Sequence, residues 1–432
     1  ECQTKKVEII GFGLDELGFG YYSNNWAAFL QASSKVRGCS PFNLVDIEVR
    51  AAELEPENIV FKLKEPEPGV VKNCQENLKK LAPEGTEGFI GFQPGASDNK
   101  RRWPINHFAR LAELLWSELK LCPLLFGTGA EKELAHRFKQ KIVELSRDMV
   151  DGPYIDLIGQ TDLKALAGYL RQCKILVTND TGTMHLAAGL GVPVVAFFLA
   201  TAQPWDTGPY LENCLCLEPK IACHPCSFDH VCEHDFKCRE VIGPKIVFRA
   251  IETFLKTKFW PEISDPEVLA WRTRKENSFM GLKRASDDLP GRIKWMYLQR
   301  HFYASFLDNR PFRAPEVFGA RQDWPPDKIF PDPETRQDLM EDIAVIKSLL
   351  EVLIGQGRVL QQRRVKVLQQ KFMQTWQRLG QLFEKNKYFS VLGLLWFYQS
   401  QEAGHNLEEF LRLCSRYLDF LNSMYNFLLS SC

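Results

Sequence analysis

The sequence predicts an α/β protein: a doubly wound parallel sheet over residues 76–261, followed by a carboxyl-terminal helical bundle. Three observations carry this expectation. From Gly88 onward, short apolar runs alternate with amphipathic helical stretches, as strands linked by crossover helices do. Residues 175–198 (ILVTNDTGTMHLAAGLGVPVVAFF) read as one complete strand–helix–strand unit. Beyond residue 333 the apolar positions recur at three- and four-residue spacing only.

The elements follow in order. Val7-Glu8-Ile9-Ile10 reads as a strand, and helical patches surround Trp26–Leu30 and Leu44–Leu54. Residues 1–75 are too few for a complete α/β domain, and Pro56, Pro66 and Pro68 mark a linker. Phe89–Gln93 is a strand ending in Pro94-Gly95-Ala96-Ser97. Pro104 suits the first position of a helix whose apolar stripe is Ile105, Phe108, Leu111 and Leu115. Leu121–Phe126 is the next strand, followed by Gly127-Thr128-Gly129 and a charged helix. Ile155–Ile158 is a short strand, and Thr161 caps a helix carrying Leu163, Leu166 and Leu170. A helix over Lys245–Phe259 closes the domain. Residues 262–332 read as an irregular linker rich in Pro, Arg and Trp. In the bundle, 333–432, Asp332 caps and Pro333 opens a helix carrying Leu339, Ile343, Ile346, Leu350 and Leu353. A second stripe runs over Leu368, Phe372, Trp376, Leu379 and Phe383, and Asn406 with Glu409 reads as a capping box opening a third helix.

Bulk properties narrow the function. A chain of 432 residues suits two or three domains. Lys+Arg and Asp+Glu both total 54, so no net charge points to a nucleic-acid partner. No apolar run reaches the ~18 residues of a membrane span, and no signal peptide is visible. The sequence starts at Glu1 without Met, which reads as a processed chain or a fragment. Thirteen scattered cysteines do not form a secreted disulfide scaffold, so a reducing cytoplasm is the expected compartment.

The chemistry concentrates in the 175–198 unit. Ile175-Leu176-Val177 is a buried strand, and the turn after it delivers the chain into a helix from Met184 to Leu190 that Gly191-Val192-Pro193 ends. Backbone N–H groups at Gly182, Thr183 and Met184 lack intrahelical acceptors there, so the helix start suits an anion such as phosphate. Thr181 and Thr183 add hydroxyls, and His185 lies one turn into the helix. Asp180 is stabilised as a carboxylate at a helix start, so it orders the turn or holds a hydroxyl rather than acting as a general base.

These residues carry a resemblance. N-D-T-G-x-x-H-L-A-A, then G-x-P-V-V-A, resembles the donor-site motif of glycosyltransferase family 9, the bacterial heptosyltransferases. Gly95-Ala96-Ser97 through Lys100-Arg101-Arg102-Trp103-Pro104 is similar to the family's second loop. The family usually has Lys two positions before the Trp; here Arg101 keeps the charge, beside Lys100 and Arg102. The resemblance covers about residues 20–260 and is strongest over 88–210. It implies the GT-B architecture of two Rossmann-like domains, with the donor held by the carboxyl-terminal one. It also implies inverting transfer of heptose from ADP-heptose to a lipopolysaccharide-core acceptor, without a cofactor. The chain departs from the family's F-G-P-T at Phe198-Leu199-Ala200-Thr201, which bears on base recognition. The family's acceptor-activating Asp lies on an amino-terminal loop with no clear counterpart. Asp15 and Glu16 are the only acidic pair near a strand end, so residues 1–75 read as the remnant of an acceptor domain and transfer by this chain as weak or absent. A contact with the inner membrane surface fits the acceptor, but no basic amphipathic face stands out to make it.

Cys223-x2-Cys226-x5-Cys232-x5-Cys238 is a second constellation. Four thiols within sixteen residues suit one structural zinc, two disulfides or free thiols, and the spacing is not that of a zinc ribbon. The contrasting reading of the whole chain is a non-catalytic, nucleotide-binding interaction protein whose bundle is the working part.

Overall fold

The computed structural model describes residues 9–14, 20–36, 40–56, 59–145, 152–228, 231–276, 278–284, 291–312, 333–363, 365–386, 388–404 and 406–429. Contacts divide the chain into two units, residues 1–56 with 288–432, and residues 57–287.

The first unit opens with a hairpin of β1 (Phe12–Leu14) and β2 (Gly20–Tyr22), then α1 (Asn25–Lys35) and α2 (Leu44–Ala51). Asn24 and Asn43 cap the two helices through their side chains.

The second unit follows with α3 (Pro68–Leu81), β3 (Gly88–Gln93), α4 (Ile105–Leu119), β4 (Leu121–Leu125), α5 (Lys132–Leu145), β5 (Ile155–Asp156) and α6 (Leu163–Leu170). It continues with β6 (Cys173–Asn179), α7 (Gly182–Gly189), β7 (Val194–Phe197), the short α8 (Pro204–Thr207), β8 (Leu215–Pro219), α9 (Pro244–Thr257), β9 (Val268–Glu276) and β10 (Phe279–Lys283). The strands form one sheet ordered β10-β9-β8-β7-β6-β3-β4-β5. Pairing is parallel from β5 to β8 and antiparallel for β8–β9 and β9–β10. After β3 the chain winds outward through β4 and β5, then returns to place β6 on the other side of β3. The sheet therefore switches direction between β3 and β6, the crevice where ligands bind in open α/β sheets. Strand β6 (CKILVTN) is buried on both faces over its apolar run, as a central parallel strand requires. Trp103, Phe108 and Phe197 anchor the core against α4, α5 and α9. Trp103 stacks on Phe197 with centroids 4.2 Å apart, and its indole N–H donates to the Ile242 carbonyl at 2.8 Å.

The chain then adds α10 (Gly291–Leu307), α11 (Pro333–Gln362), α12 (Lys366–Lys385), α13 (Ser390–Ala403) and α14 (Leu407–Leu429) to the first unit. The Trp26 indole donates to Asp308 at 2.7 Å, Gln399 donates to Asn25 at 2.9 Å, and Tyr303 stacks on Phe420. Asn406 caps α14, accepting from the amides of Glu408 and Glu409. Among the described residues no helix is long and apolar enough to cross a membrane.

Several expectations differ from the structure. Local pattern makes residues 1–75, 262–332 and 333–432 separate segments. Instead residues 1–56 share a unit with 288–432, because α1 packs on α10 and α13, an association with no local signal. Pro68 does not end a linker but begins α3, so the expected boundary at 75/76 falls inside a helix. The expected linker contains β9, β10 and α10; the mixed polarity of VLAWRTRKE hides the alternation of a strand near the sheet edge. Asp162, not Thr161, caps α6 through the Ala165 amide. Ile9 and Ile10 are not in a strand, and Val7, Glu8, Asp15, Glu16 and Asp332 lie outside the described residues.

Candidate functional site

The loops after β3 and β6 meet at the switch point, as the paired strands dictate. Arg101 sits on a short 3-10 turn, Asn99–Arg101, that the Asp98 side chain caps through the Lys100 amide. From there its guanidinium pairs with Asp180 at 3.3 Å and donates to the Ser97 hydroxyl. Both side chains are largely buried, 16% and 8% exposed, and the Arg101 Nε–H is buried with no acceptor among the described residues. The other two cations of the trio are turned elsewhere. Arg102 folds back on its own loop, donating to the Ala96 carbonyl at 2.7 and 3.0 Å, while Lys100 sits 3.6 Å from Asp98 and donates to the Phe228 carbonyl at 3.4 Å.

Helix α7 opens from an extended Thr181, whose carbonyl takes the Met184 amide at 3.1 Å. Met184 is fully buried, so this residue is core rather than ligand surface. That leaves the amides of Gly182 and Thr183 with no acceptor among the described residues. Gly182 is exposed, and a Cβ built there meets nothing within 4 Å, so the helix start faces open space. The two threonine hydroxyls are already engaged: Thr183 donates to the Gln93 side-chain oxygen at 3.1 Å, and Thr181 lies 3.2 Å from the Thr178 hydroxyl, whose own proton goes to the Asn179 carbonyl at 2.7 Å. Gly95 makes a close approach to the Glu131 carboxylate: a Cβ there would lie 1.6 Å from it, so any larger residue would push that side chain aside. Glu131 is held in turn by the Thr128 amide at 2.7 Å.

Burial pushes the pKa of His185 down, against the opposing pull of Asp180, and does the same to His107 against Glu240. Both imidazoles are therefore neutral in the folded chain near pH 7. The unfolded chain takes up protons first, below its ordinary histidine pKa of about 6.5, so these groups cost stability as pH falls through that value. The melting temperature should drop between pH 7 and 5.5. The double variant His107→Gln/His185→Gln should show a shallower drop, and an unchanged slope would contradict the assignment.

The cysteine-rich loop borders the same loops. The Cys226 amide donates to Ala200 at 2.9 Å, and Arg239 Nε donates to the Arg102 carbonyl at 2.7 Å. His224 pairs with the fully buried Glu218 at 3.1 Å. Cys223, Cys226 and Cys232 are half-buried, Cys238 is buried, and all four thiols are free. Burial and then the neighbouring thiols raise the pKa of Cys226, keeping its sulfur protonated. Among the described residues no group of three or more His, Cys, Asp or Glu is arranged to hold a metal ion. The zinc reading of Cys223, Cys226, Cys232 and Cys238 thus finds no support in their placement.

Residues 48–236 match the family model of glycosyltransferase family 9 (heptosyltransferase), a span that holds both loops and most of the cysteine-rich segment. The similarity to glycosyltransferase family 9 thus lies in this segment. Lipooligosaccharide heptosyltransferase 2 of Haemophilus influenzae is 33% identical over 143 residues, 32% of this chain and 40% of that protein. The enzyme of the same name from Campylobacter jejuni is 30% identical over 202 residues, 45% of this chain and 56% of that one. The solved structure of ADP-heptose lipopolysaccharide heptosyltransferase II from Escherichia coli aligns at 22% identity with a TM-score of 0.40, covering 50% of this chain and 63% of that chain. The chain thus spans between two-fifths and just over half of the length of these two curated relatives. The sequence points to Arg101, Asp180 and Gly182 together but not to Asn179, Gln93 and Glu131, which hold the two loops in place. The available signal is a polar residue, Asn179, two positions beyond the apolar run Ile175–Val177 of a central strand.

Proposed function

We propose that this chain binds ADP-heptose at the β3–β6 switch point and transfers the heptose, with inversion, to a lipopolysaccharide-core acceptor. The observation that carries the reading is the open helix start, where the Gly182 and Thr183 amides lack an acceptor among the described residues, two residues from Asp180, the carboxylate that holds the Arg101 guanidinium at 3.3 Å. In such a transfer a base takes the proton of the acceptor hydroxyl, whose oxygen attacks the anomeric carbon from the face opposite the leaving group. The anomeric C–O bond breaks and ADP departs with the electron pair. Negative charge grows on the diphosphate as this happens, so fixed N–H donors and a guanidinium lower the barrier by stabilising that charge more in the transition state than in the ground state. Asp180 holds Arg101 in place rather than acting as the base, because its carboxylate is committed to the guanidinium. The names of the relatives, all heptosyltransferases of lipopolysaccharide or lipooligosaccharide, support the choice of sugar and acceptor.

Isothermal calorimetry with ADP, ADP-heptose and adenosine tests the binding half. ADP and ADP-heptose should bind, with adenosine at least ~10-fold weaker, equivalent to about 1.4 kcal/mol. Adenosine binding equal to ADP would remove the diphosphate from the account. Release of ADP on adding a lipopolysaccharide-core acceptor tests the transfer half. Tight ADP binding with no release would instead favour the non-catalytic reading.

A further inference from the structure

We infer that Asn179 is a positioning residue of the site, gathering the β3–α4 loop so that Arg101 reaches the helix start; the inference rests on the donor-site reading above. Asn179 closes β6 and is fully buried. By the two-residue alternation of a strand, its side chain leaves on the face of Ile175 and Val177, which belong to the core beside Trp103. From there its amide nitrogen lies 3.4 Å from the Gln93 carbonyl oxygen, 2.9 Å from that of Pro94 and 3.2 Å from that of Gly95. Its amide oxygen accepts from the Trp103 backbone N–H at 2.8 Å. One side chain thus grips both ends of the loop that carries Ser97 and Arg101, and its next neighbour in sequence is Asp180, the partner of Arg101.

The chemistry of the contacts specifies the residue. Three carbonyls lie within reach of a donor and one backbone amide needs an acceptor; a carboxamide, with two N–H donors and one acceptor oxygen, meets both demands at this reach and in either pH range. Aspartate has the same size and keeps the Trp103 contact, but turns oxygen toward three carbonyl oxygens. Buried there, its carboxylate has a strongly raised pKa, and its protonated form regains one donor. The Thr183–Gln93 hydrogen bond is a second tie, between the helix start and the end of β3.

The test is Asn179→Asp in the full chain, with ADP affinity measured from pH 8 to pH 5.5 beside the unaltered protein. At pH 8 the variant should bind ADP at least ~10-fold more weakly, and the ratio should shrink to within ~3-fold at pH 5.5 as the introduced carboxylate takes up its proton. Hydrogen–deuterium exchange supplies a readout that needs no ligand: exchange of residues 94–103 should rise at pH 8 while β4 and α9 stay protected. Asn179→Ser, which keeps one short donor, should be intermediate in both and serves if Asn179→Asp does not fold. A pH-independent affinity ratio, or exchange raised evenly across the whole unit, would overturn the positioning role and leave only a structural one. Failure of the unaltered protein to bind ADP would sink the donor-site reading, while exchange confined to residues 94–103 would still sustain the loop-positioning claim.

Discussion

Replacing Arg101 with leucine is expected to lower ADP affinity by at least ~100-fold and to destabilise the residue 57–287 unit by about 2–4 kcal/mol. The affinity loss follows from geometry. Arg101 is the one cation of the Lys100–Arg102 trio that stands at Asp180; Lys100 and Arg102 are engaged with Asp98, Phe228 and Ala96. Without it the largest charge left at the site is the Asp180 carboxylate, which repels a diphosphate. The stability loss follows from burial, since the Asp180 side chain is 8% exposed and would lose its guanidinium. Arg101 retains some exposure, so the lower part of that range is favoured. The double variant Arg101→Leu/Asp180→Asn separates the two effects. It should recover part of the stability, because the carboxylate that lost its guanidinium is gone, yet recover little ADP binding, because the cation is still absent. Thermal melts and calorimetry on the two variants read this directly. ADP binding within ~3-fold of normal in Arg101→Leu would place the diphosphate elsewhere.

Trp103→Ala should cost about 3–5 kcal/mol, the range for emptying a buried large aromatic site. The indole is 1% exposed, stacks on Phe197 at 4.2 Å, meets the Phe108 edge at 4.8 Å and donates to Ile242. Its removal leaves a cavity between α4 and the sheet and takes one donor from the Ile242 carbonyl. For a unit of this size the melting temperature should fall by roughly 6–20 °C. Trp103→Phe keeps a ring against Phe197 and should cost much less. Because it is the backbone N–H of Trp103, not the indole, that meets Asn179, ADP affinity measured well below the melting transition should fall far less in Trp103→Ala than in Arg101→Leu. A melt unchanged by Trp103→Ala would contradict the packing described here.

Much of this site was legible in the sequence because its signals are local. The run Ile175–Val177, the turn at Asn179–Gly182 and the small residues of α7 fix a strand, a sharp exit and a helix within fifteen residues. Pro104 and the stripe from Ile105 to Leu115 fix the second loop's exit in the same way. What was hidden depends on partners distant in sequence. Which member of Lys100-Arg101-Arg102 faces Asp180 is decided by the cap at Asp98 and by the Ala96 carbonyl, not by spacing. That Thr183 is spent on Gln93 requires the parallel pairing of β3 with β6. Strand β9 is hidden in the sequence because WRTRKE reads as a charged linker until β8 and β10 flank it. The joining of residues 1–56 to 288–432 through Trp26–Asp308 and Asn25–Gln399 has no local trace at all.

The central claim is that main-chain donors at the start of α7 receive the diphosphate. The direct measurement is the amide NMR response of Gly182 and Thr183 in isotopically labelled full chain as ADP is added. Both amide protons should move downfield together with saturation at the calorimetric affinity, while adenosine leaves them in place. Saturating ADP binding that leaves both amides unmoved would contradict the account.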